Sequence, residues 1–179
     1  WFGFDFCVPS KSKKTFVGTR CSRSGFFVHW SLRMTKSLPM KFVLVSTPIG
    51  HLGSGSGGGV ELTLSSLMKG LLNMGHQVIL VAPNLSELPQ GCSSAQIICA
   101  NGIDQPSWQH VPCGAPVVIP IDGVLPKLWD KALEIGESAD VVLNFSYDWL
   151  PIWLTPHVRA DLFHLISMGG VSEVMKTLL

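Results

Sequence analysis

The segment KFVLVSTPIGHLGSGSGGGVELTLSSLMKGLLNMGHQVILVAP, residues 41–83, decides the fold class of this 179-residue chain. Lys41–Ser46 is a short apolar run rich in β-branched residues, which predicts a strand buried on both faces. After the glycine-rich loop 47–59, apolar residues recur at helical spacing until a stop at Gly75. Gln77–Ala82 has the pattern of a second buried strand. Strand, glycine loop, helix and strand make one βαβ unit, which predicts two parallel strands joined by a right-handed crossover.

The remainder of the chain continues this alternation of strands and helices. The pattern predicts strands at 96–100, 117–119, 140–145 and 161–167, helices at 125–137 and 173–179, and an irregular loop over 101–116. Such alternation is typical of an α/β protein with a Rossmann-like, mostly parallel sheet and helices on both of its faces. We therefore expect one open sheet, with ligands collecting at the carboxyl ends of its strands.

Charge is divided unevenly along the chain. Residues 1–39 carry seven of the 13 basic residues and one of the 12 acidic ones, so residues 40–179 have a net charge of −5. The basic stretch is predicted to be a partial transit peptide or a translated leader, disordered and outside the fold. The body is acidic and shows no basic face, which argues against general nucleic-acid binding.

Cysteine spacing and hydropathy bear on the compartment. The five cysteines form neither a CxxC pair nor a zinc-type cluster, and their odd number predicts reduced thiols in a reducing compartment, the cytoplasm or a plastid. No apolar run reaches the length of about 18 residues needed to cross a bilayer, so no membrane span is expected. No metal site is predicted.

The glycine-rich loop is the first candidate site. Gly57, Gly58 and Gly59 directly precede a helix, where N–H groups and the helix dipole favour an anion, so they are predicted to bind a phosphate. A flexible linker is the alternative. The loop also satisfies GxGxxG from Gly53, but it begins six residues after the strand, and Asn84 stands where a ribose-binding acid is expected. A dinucleotide oxidoreductase is therefore the weaker interpretation, and a P-loop fails because no Lys-Ser/Thr follows.

The run from Pro48 through Gly-Gly-Gly-Val-Glu61, followed by Gly-His-Gln-Val78 and a strand ending in Pro83, is similar to the opening of glycosyltransferase family 4. Residues 140–149 are similar to the family's strand that ends in a His-Asp-Trp-like segment at the cleft. There Tyr147 stands where relatives such as starch synthases carry the histidine. The resemblance covers residues 40–179.

This resemblance implies the GT-B architecture, in which two Rossmann-like domains face each other across a cleft. The front domain takes the acceptor and the back domain holds the nucleotide sugar. Residues 40–179 would be the acceptor-side domain, truncated before the donor domain and inactive alone. The implied reaction is a retaining transfer of a sugar, glucose from UDP-glucose, to a small-molecule or glycan acceptor without a cofactor. A truncated binding module without catalysis is the alternative.

A narrower resemblance rests on four short segments. They are Ser46-Thr-Pro-Ile-Gly, Gly-Gly-Gly-Val-Glu-Leu-Thr63, Tyr-Asp-Trp-Leu-Pro151 and His164-Leu-Ile-Ser-Met-Gly169. Together they are similar to cyanobacterial-type enzymes that include UDP-glucose:tetrahydrobiopterin glucosyltransferases. This resemblance likewise implies glucose as the sugar that is moved.

The resemblance and the positions of residues in the predicted elements together give the candidate site residues. Asp148 and Tyr147 are the catalytic candidates, and Asp148 follows a predicted parallel strand, where it can orient an acceptor hydroxyl or act as a base. The structural alternative for Asp148 is an N-cap for segment 149–154. The predicted acceptor or cleft residues are Glu61, Trp149, His164, Ser167 and Met168. For Glu61 the alternative is a first-turn carboxylate at a helix N-terminus, and for His164 it is a hydrogen-bonded core histidine.

Overall fold

The computed structural model describes residues 5–7, 38–106, 112, 114–116, 119–166 and 177. Within these ranges the strands are β1 (Asp5–Cys7), β2 (Lys41–Val45), β3 (Gln77–Pro83), β4 (Gln96–Ala100), β5 (Val141–Asn144) and β6 (Asp161–Ile166). The helices are α1 (Gly59–Asn73), α2 (Val124–Gly136) and α3 (Trp149–Trp153), and a 3₁₀ turn, Thr155–His157, follows α3.

The strands form one sheet in the order β1-β6-β5-β2-β3-β4. Strands β2 to β6 are mutually parallel, which confirms the predicted α/β, Rossmann-like fold. From β2 the chain moves outward through β3 and β4 and then returns to the other side of β2 as β5. The order therefore reverses between β2 and β5, and a crevice is expected outside the carboxyl ends of these two strands.

Helices cover both faces of the sheet. On one face α2 packs Leu128 and Trp129 against Val43 and Val45 of β2. On the other face α1 packs its buried residues against Leu44 of the same strand. The alternation of side chains along β2 thus serves two separate cores, which is why this strand is apolar throughout rather than alternating with polar residues.

Element boundaries agree with the sequence patterns to within one or two residues. Gly75 ends α1 with a φ of +84°, a conformation that suits glycine after a helix. The predicted strand at 117–119 and the predicted helix at 173–179 fall largely outside the described residues, as does the end of the strand predicted to reach Ser167.

The leader contributes one element that the sequence analysis left out of the fold. The backbone of Asp5–Cys7 pairs antiparallel with Leu165 and its neighbours in β6. Strand pairing uses backbone groups, and an edge strand such as β6 leaves them open to any extended segment. The basic composition of residues 1–39 therefore gives no indication that part of this stretch pairs with β6.

No helix in the described ranges is long and apolar enough to cross a membrane. Cys92 is buried and Cys99 is exposed, and both are free thiols.

Candidate active site at the carboxyl ends of the strands

The segments that follow β2, β4 and β5 converge at the carboxyl edge of the sheet. The amide of Phe145 donates to the carbonyl of Val45 at 2.9 Å, and the amide of Gln105 donates to the carbonyl of Pro48 at 2.9 Å. Several polar side chains are buried at this edge, namely Ser46, Thr47, Gln105, Asn144, Ser146 and Asp148. Buried polar groups are costly, so their concentration at the reversal of strand order makes this edge the candidate site.

Asp148 combines burial with an incompletely satisfied carboxyl. Its side chain is 2% exposed, and burial raises its pKa, although hydrogen bonds from the Leu150 amide, the Gln105 side chain and the Trp149 amide act in the opposite sense. The Leu150 amide reaches Oδ1 at 3.4 Å, which confirms the N-cap interpretation. The cap thus occupies Oδ1, while Oδ2 is buried without a well-formed hydrogen bond among the described residues.

Gln105 and Ser46 belong to this site, and the sequence analysis did not select them. Gln105 is 5% exposed and contacts the Asp148 carboxyl from the loop after β4. Ser46 is fully buried at the end of β2, and its Oγ has no hydrogen-bond partner in the ranges that the structure covers. A polar residue directly after a buried strand was a usable signal for Ser46. Gln105 gave none, because it lies in an irregular loop.

The glycine loop leaves β2 at this edge, as expected, but its amides already bind an anion of the chain itself. The amide of Gly57 donates to Glu61 Oε1 at 2.8 Å, and the amide of Gly53 donates to Glu61 Oε2 at 2.9 Å. The amide of Gly58 donates to the carbonyl of Gly55 at 3.2 Å. A phosphate held by Gly57 would therefore have to displace Glu61. The first-turn position of Glu61 serves the loop as well as the helix dipole.

Gly57 occupies a position with no room for a side chain, and its replacement should disturb the loop. A Cβ there would lie 2.9 Å from Glu61 Cγ and 3.0 Å from Thr47 Cγ2, whereas a Cβ on Gly59 would meet nothing within 4 Å. We expect Gly57→Ala to lower the free energy of unfolding by about 2 kcal/mol. Gly59→Ala, the matched control, should be neutral or raise it by about 0.5 kcal/mol. Urea denaturation of both variants tests this, and equal stabilities would contradict it.

His164 lies in the core, where its structural alternative placed it. Its position at the end of a predicted strand suggested a place in the cleft, but the side chain is 1% exposed and packs in the core. Its Nδ1 lies 3.0 Å from Asn144 Nδ2, and its Nε2 lies 3.0 Å from Thr155 Oγ1. Burial lowers the pKa of His164 to about 4.

The other predicted site residues are Tyr147, Trp149, Ser167 and Met168. Tyr147 and Trp149 flank Asp148 and are half-buried, so both are close to the candidate site. Ser167 and Met168 lie outside the described residues.

Across the described ranges, no three side chains of the metal-binding types lie together. Strand β3 ends at Pro83 and is followed by Asn84, so no carboxylate directly follows it to hold a ribose.

Neither the known protein families nor the curated proteins yielded a match to this chain.

Proposed function

We propose that this chain is the acceptor-side domain of a nucleotide-sugar-dependent glycosyltransferase. The observation that carries the proposal is the buried Asp148 carboxyl at the reversal of strand order, with Oδ1 held by the cap and Oδ2 without a well-formed hydrogen bond among the described residues. Desolvation moves its pKa toward neutrality, which suits a group that accepts a hydrogen bond or a proton from an attacking hydroxyl.

In this reaction the acceptor oxygen forms a bond to C1 of the sugar while the bond from C1 to the nucleotide diphosphate breaks. The electron pair leaves with the diphosphate. Asp148 Oδ2 is buried in the free chain, so the acceptor hydroxyl reaches it only when the segment after β5 opens. There Oδ2 orients the hydroxyl and takes its proton as the new bond forms, while Gln105 holds the Asp148 carboxyl. The resemblance of residues 40–179 to glycosyltransferase family 4 supports glucose from UDP-glucose as the group transferred, with retention of configuration.

The glycine loop supports the same proposal in a modified role. Since Glu61 already accepts the Gly53 and Gly57 amides, the loop fixes the Glu61 carboxylate rather than binding the donor diphosphate. A leaving diphosphate needs cationic groups to stabilise its charge, and we place these groups in a second, donor-binding domain.

Measuring UDP release from UDP-glucose tests whether sugar transfer requires the donor-binding domain as well as this one. The purified 179-residue chain should release no UDP above the uncatalysed rate, with or without added acceptors. The sequence that follows Leu179 should encode a second Rossmann-like domain with a Glu-x7-Glu segment, and the longer protein should consume UDP-glucose. Turnover by residues 40–179 alone, or a longer protein that never binds UDP-glucose, would show the proposal to be wrong.

A further inference from the structure

A cavity of about 540 Å³ lies between the glycine loop, the first turns of α1 and the loop that follows β3. Residues that line it include His51, Glu61, Leu62, Leu85, Glu87 and Leu88. Its volume falls within the range of about 300–1,000 Å³ typical of small-molecule sites. The buried carboxyl of Asp148 is not among its lining residues, so this cavity is a feature separate from that carboxyl.

The walls of the cavity are held in place by hydrogen bonds. The amide of Leu52 donates to Ser86 Oγ at 2.8 Å, and this buried bond joins the glycine loop to the loop after β3. On the other wall, the two loop amides from Gly53 and Gly57 fix both oxygens of Glu61. Each carboxylate oxygen can accept a second hydrogen bond. Glu61 is therefore a preorganised acceptor for a ligand N–H or O–H group.

The charge of the cavity selects against anions. Glu61 and Glu87 both line it, and no lysine or arginine is among the described residues that do so. Carboxylates in a concave site with low-dielectric walls create a negative potential that repels phosphate and attracts cations. A phosphorylated or carboxylated ligand would have to bury its charge beside these acids without a cationic partner.

Two of the lining residues are exposed apolar side chains. Leu62 on α1 and Leu85 on the facing loop are each 73% exposed, which is unusual for large apolar side chains on one small surface. Leu85 also has a φ of +68°, a conformation that is unfavourable for leucine and that the loop nevertheless maintains. Residues in strained backbone conformations cluster at functional sites, and Leu85 is one of the residues that line this cavity.

We propose that this cavity is a small-molecule site separate from the Asp148 carboxyl, and that its ligand is an amphipathic molecule with hydroxyl or protonated amine groups beside an apolar ring and no phosphate or carboxylate. The polar groups donate to Glu61 and Glu87, while the ring packs against Leu62 and Leu85. This ligand chemistry rests on the cavity alone and does not depend on the proposed function.

Three probes that share one phenyl ring separate these requirements. They are 2-phenylethylamine (cationic), phenyl β-D-glucopyranoside (neutral, rich in hydroxyls) and phenyl phosphate (anionic). In ¹⁵N-resolved titrations of the 179-residue chain, the amine and the glucoside should shift the Gly53 and Gly57 amides. Phenyl phosphate should bind at least about tenfold more weakly than the amine because of the two carboxylates.

Two variants and one control assign the binding to the cavity. Leu85→Ser should weaken the amine and the glucoside about fivefold, since it removes apolar contact area from both. Glu87→Gln should weaken only the amine, by about threefold, as expected for an exposed ion pair. Ile121→Ser removes an apolar side chain that is 90% exposed and is not among the cavity-lining residues, and it should change nothing.

The inference is overturned if phenyl phosphate binds as tightly as the amine, or if Leu85→Ser and Ile121→Ser have equal effects. It is also overturned if neither the amine nor the glucoside shifts the loop amides at about 10 mM, a concentration that would detect a binding free energy of about 3 kcal/mol. If the amine and glucoside bind as described while the longer protein transfers no sugar, the ligand chemistry stands and the proposed function fails. The two outcomes are thus distinguishable.

Discussion

Replacing Asp148 with asparagine should abolish sugar transfer without destabilising the fold. In the longer protein that carries the donor domain, we expect Asp148→Asn to lower kcat by about 10²–10⁴-fold, the usual contribution of a group that takes or positions a proton in the transition state. An asparagine oxygen can still accept the Leu150 amide that Asp148 accepts now. The helix cap is therefore retained and only the charge is lost.

The free energy of unfolding of Asp148→Asn should stay the same or rise, whereas its activity should fall. Burial raises the pKa of Asp148, so the ionised carboxyl at neutral pH opposes folding, and its removal relieves that cost. The free energy of unfolding of Asp148→Asn at pH 7 should therefore equal or exceed that of the parent chain. Urea denaturation measures this, and UDP release measures activity. Asp130→Asn, an exposed change on α2, is the control and should alter neither quantity.

A variant that is both less stable and less active would indicate that Asp148 serves only as a helix cap. Retained activity would exclude the carboxyl from the reaction altogether. The opposed signs of the two expected effects make the prediction informative, since a purely structural residue gives losses in both measurements.

Local patterns in the sequence were sufficient for the framework of the fold. The β-branched run at Lys41–Val45 and the apolar spacing of α1 depend on neighbours within a few residues, and both were predicted to within one residue. The position of the glycine loop followed from them. The cap formed by Asp148 was also predictable, because the residue types and their spacing around a short helix suffice to indicate it.

The chemistry of the site was less accessible because it depends on long-range contacts. Gln105 reaches Asp148 across 43 positions of sequence, and Ser86 reaches Leu52 across 34. Neither pairing has a local signature. The glycine loop shows a different difficulty, since three glycine amides before a helix suggest an external anion. In the fold, however, Glu61 accepts the Gly57 amide and the Gly55 carbonyl accepts the Gly58 amide.

The interaction that fixes the protonation state of His164 is also long-range. The amide and hydroxyl of Ser146 both donate to Asn144 Oδ1, so the orientation of the Asn144 amide is set, and its Nδ2 must donate to His164 Nδ1. Nε2 then carries the single proton and donates to Thr155 Oγ1, which donates to the carbonyl of Ile152 at 2.6 Å. This tautomer follows from the network. A second proton on Nδ1 would face the Asn144 amide hydrogens.

Acidification should therefore destabilise the fold through His164. Its pKa is lowered from 6.5 to about 4, so between these values the unfolded chain binds a proton that the folded chain does not. The stabilisation is fully present above pH 6.5 and declines as the pH falls toward 4. The shift corresponds to about 3 kcal/mol, at about 1.4 kcal/mol per pH unit. Asp148 contributes with the opposite sign, because its raised pKa lets the folded chain take up a proton first.

Comparison of two histidine variants separates the contribution of His164 from that of Asp148. His164→Gln removes the titrating ring and keeps a side chain able to donate and accept, so its free energy of unfolding should fall about 3 kcal/mol less than that of the parent chain between pH 7 and pH 4. His157→Gln changes an exposed histidine in the 3₁₀ turn and should follow the parent curve. Because Asp148 is present in all three chains, its contribution cancels in the differences. Parallel curves for the parent chain and His164→Gln would mean that the buried ring is protonated in the folded state, and the hydrogen-bond assignment from Asn144 to Thr155 would then be wrong.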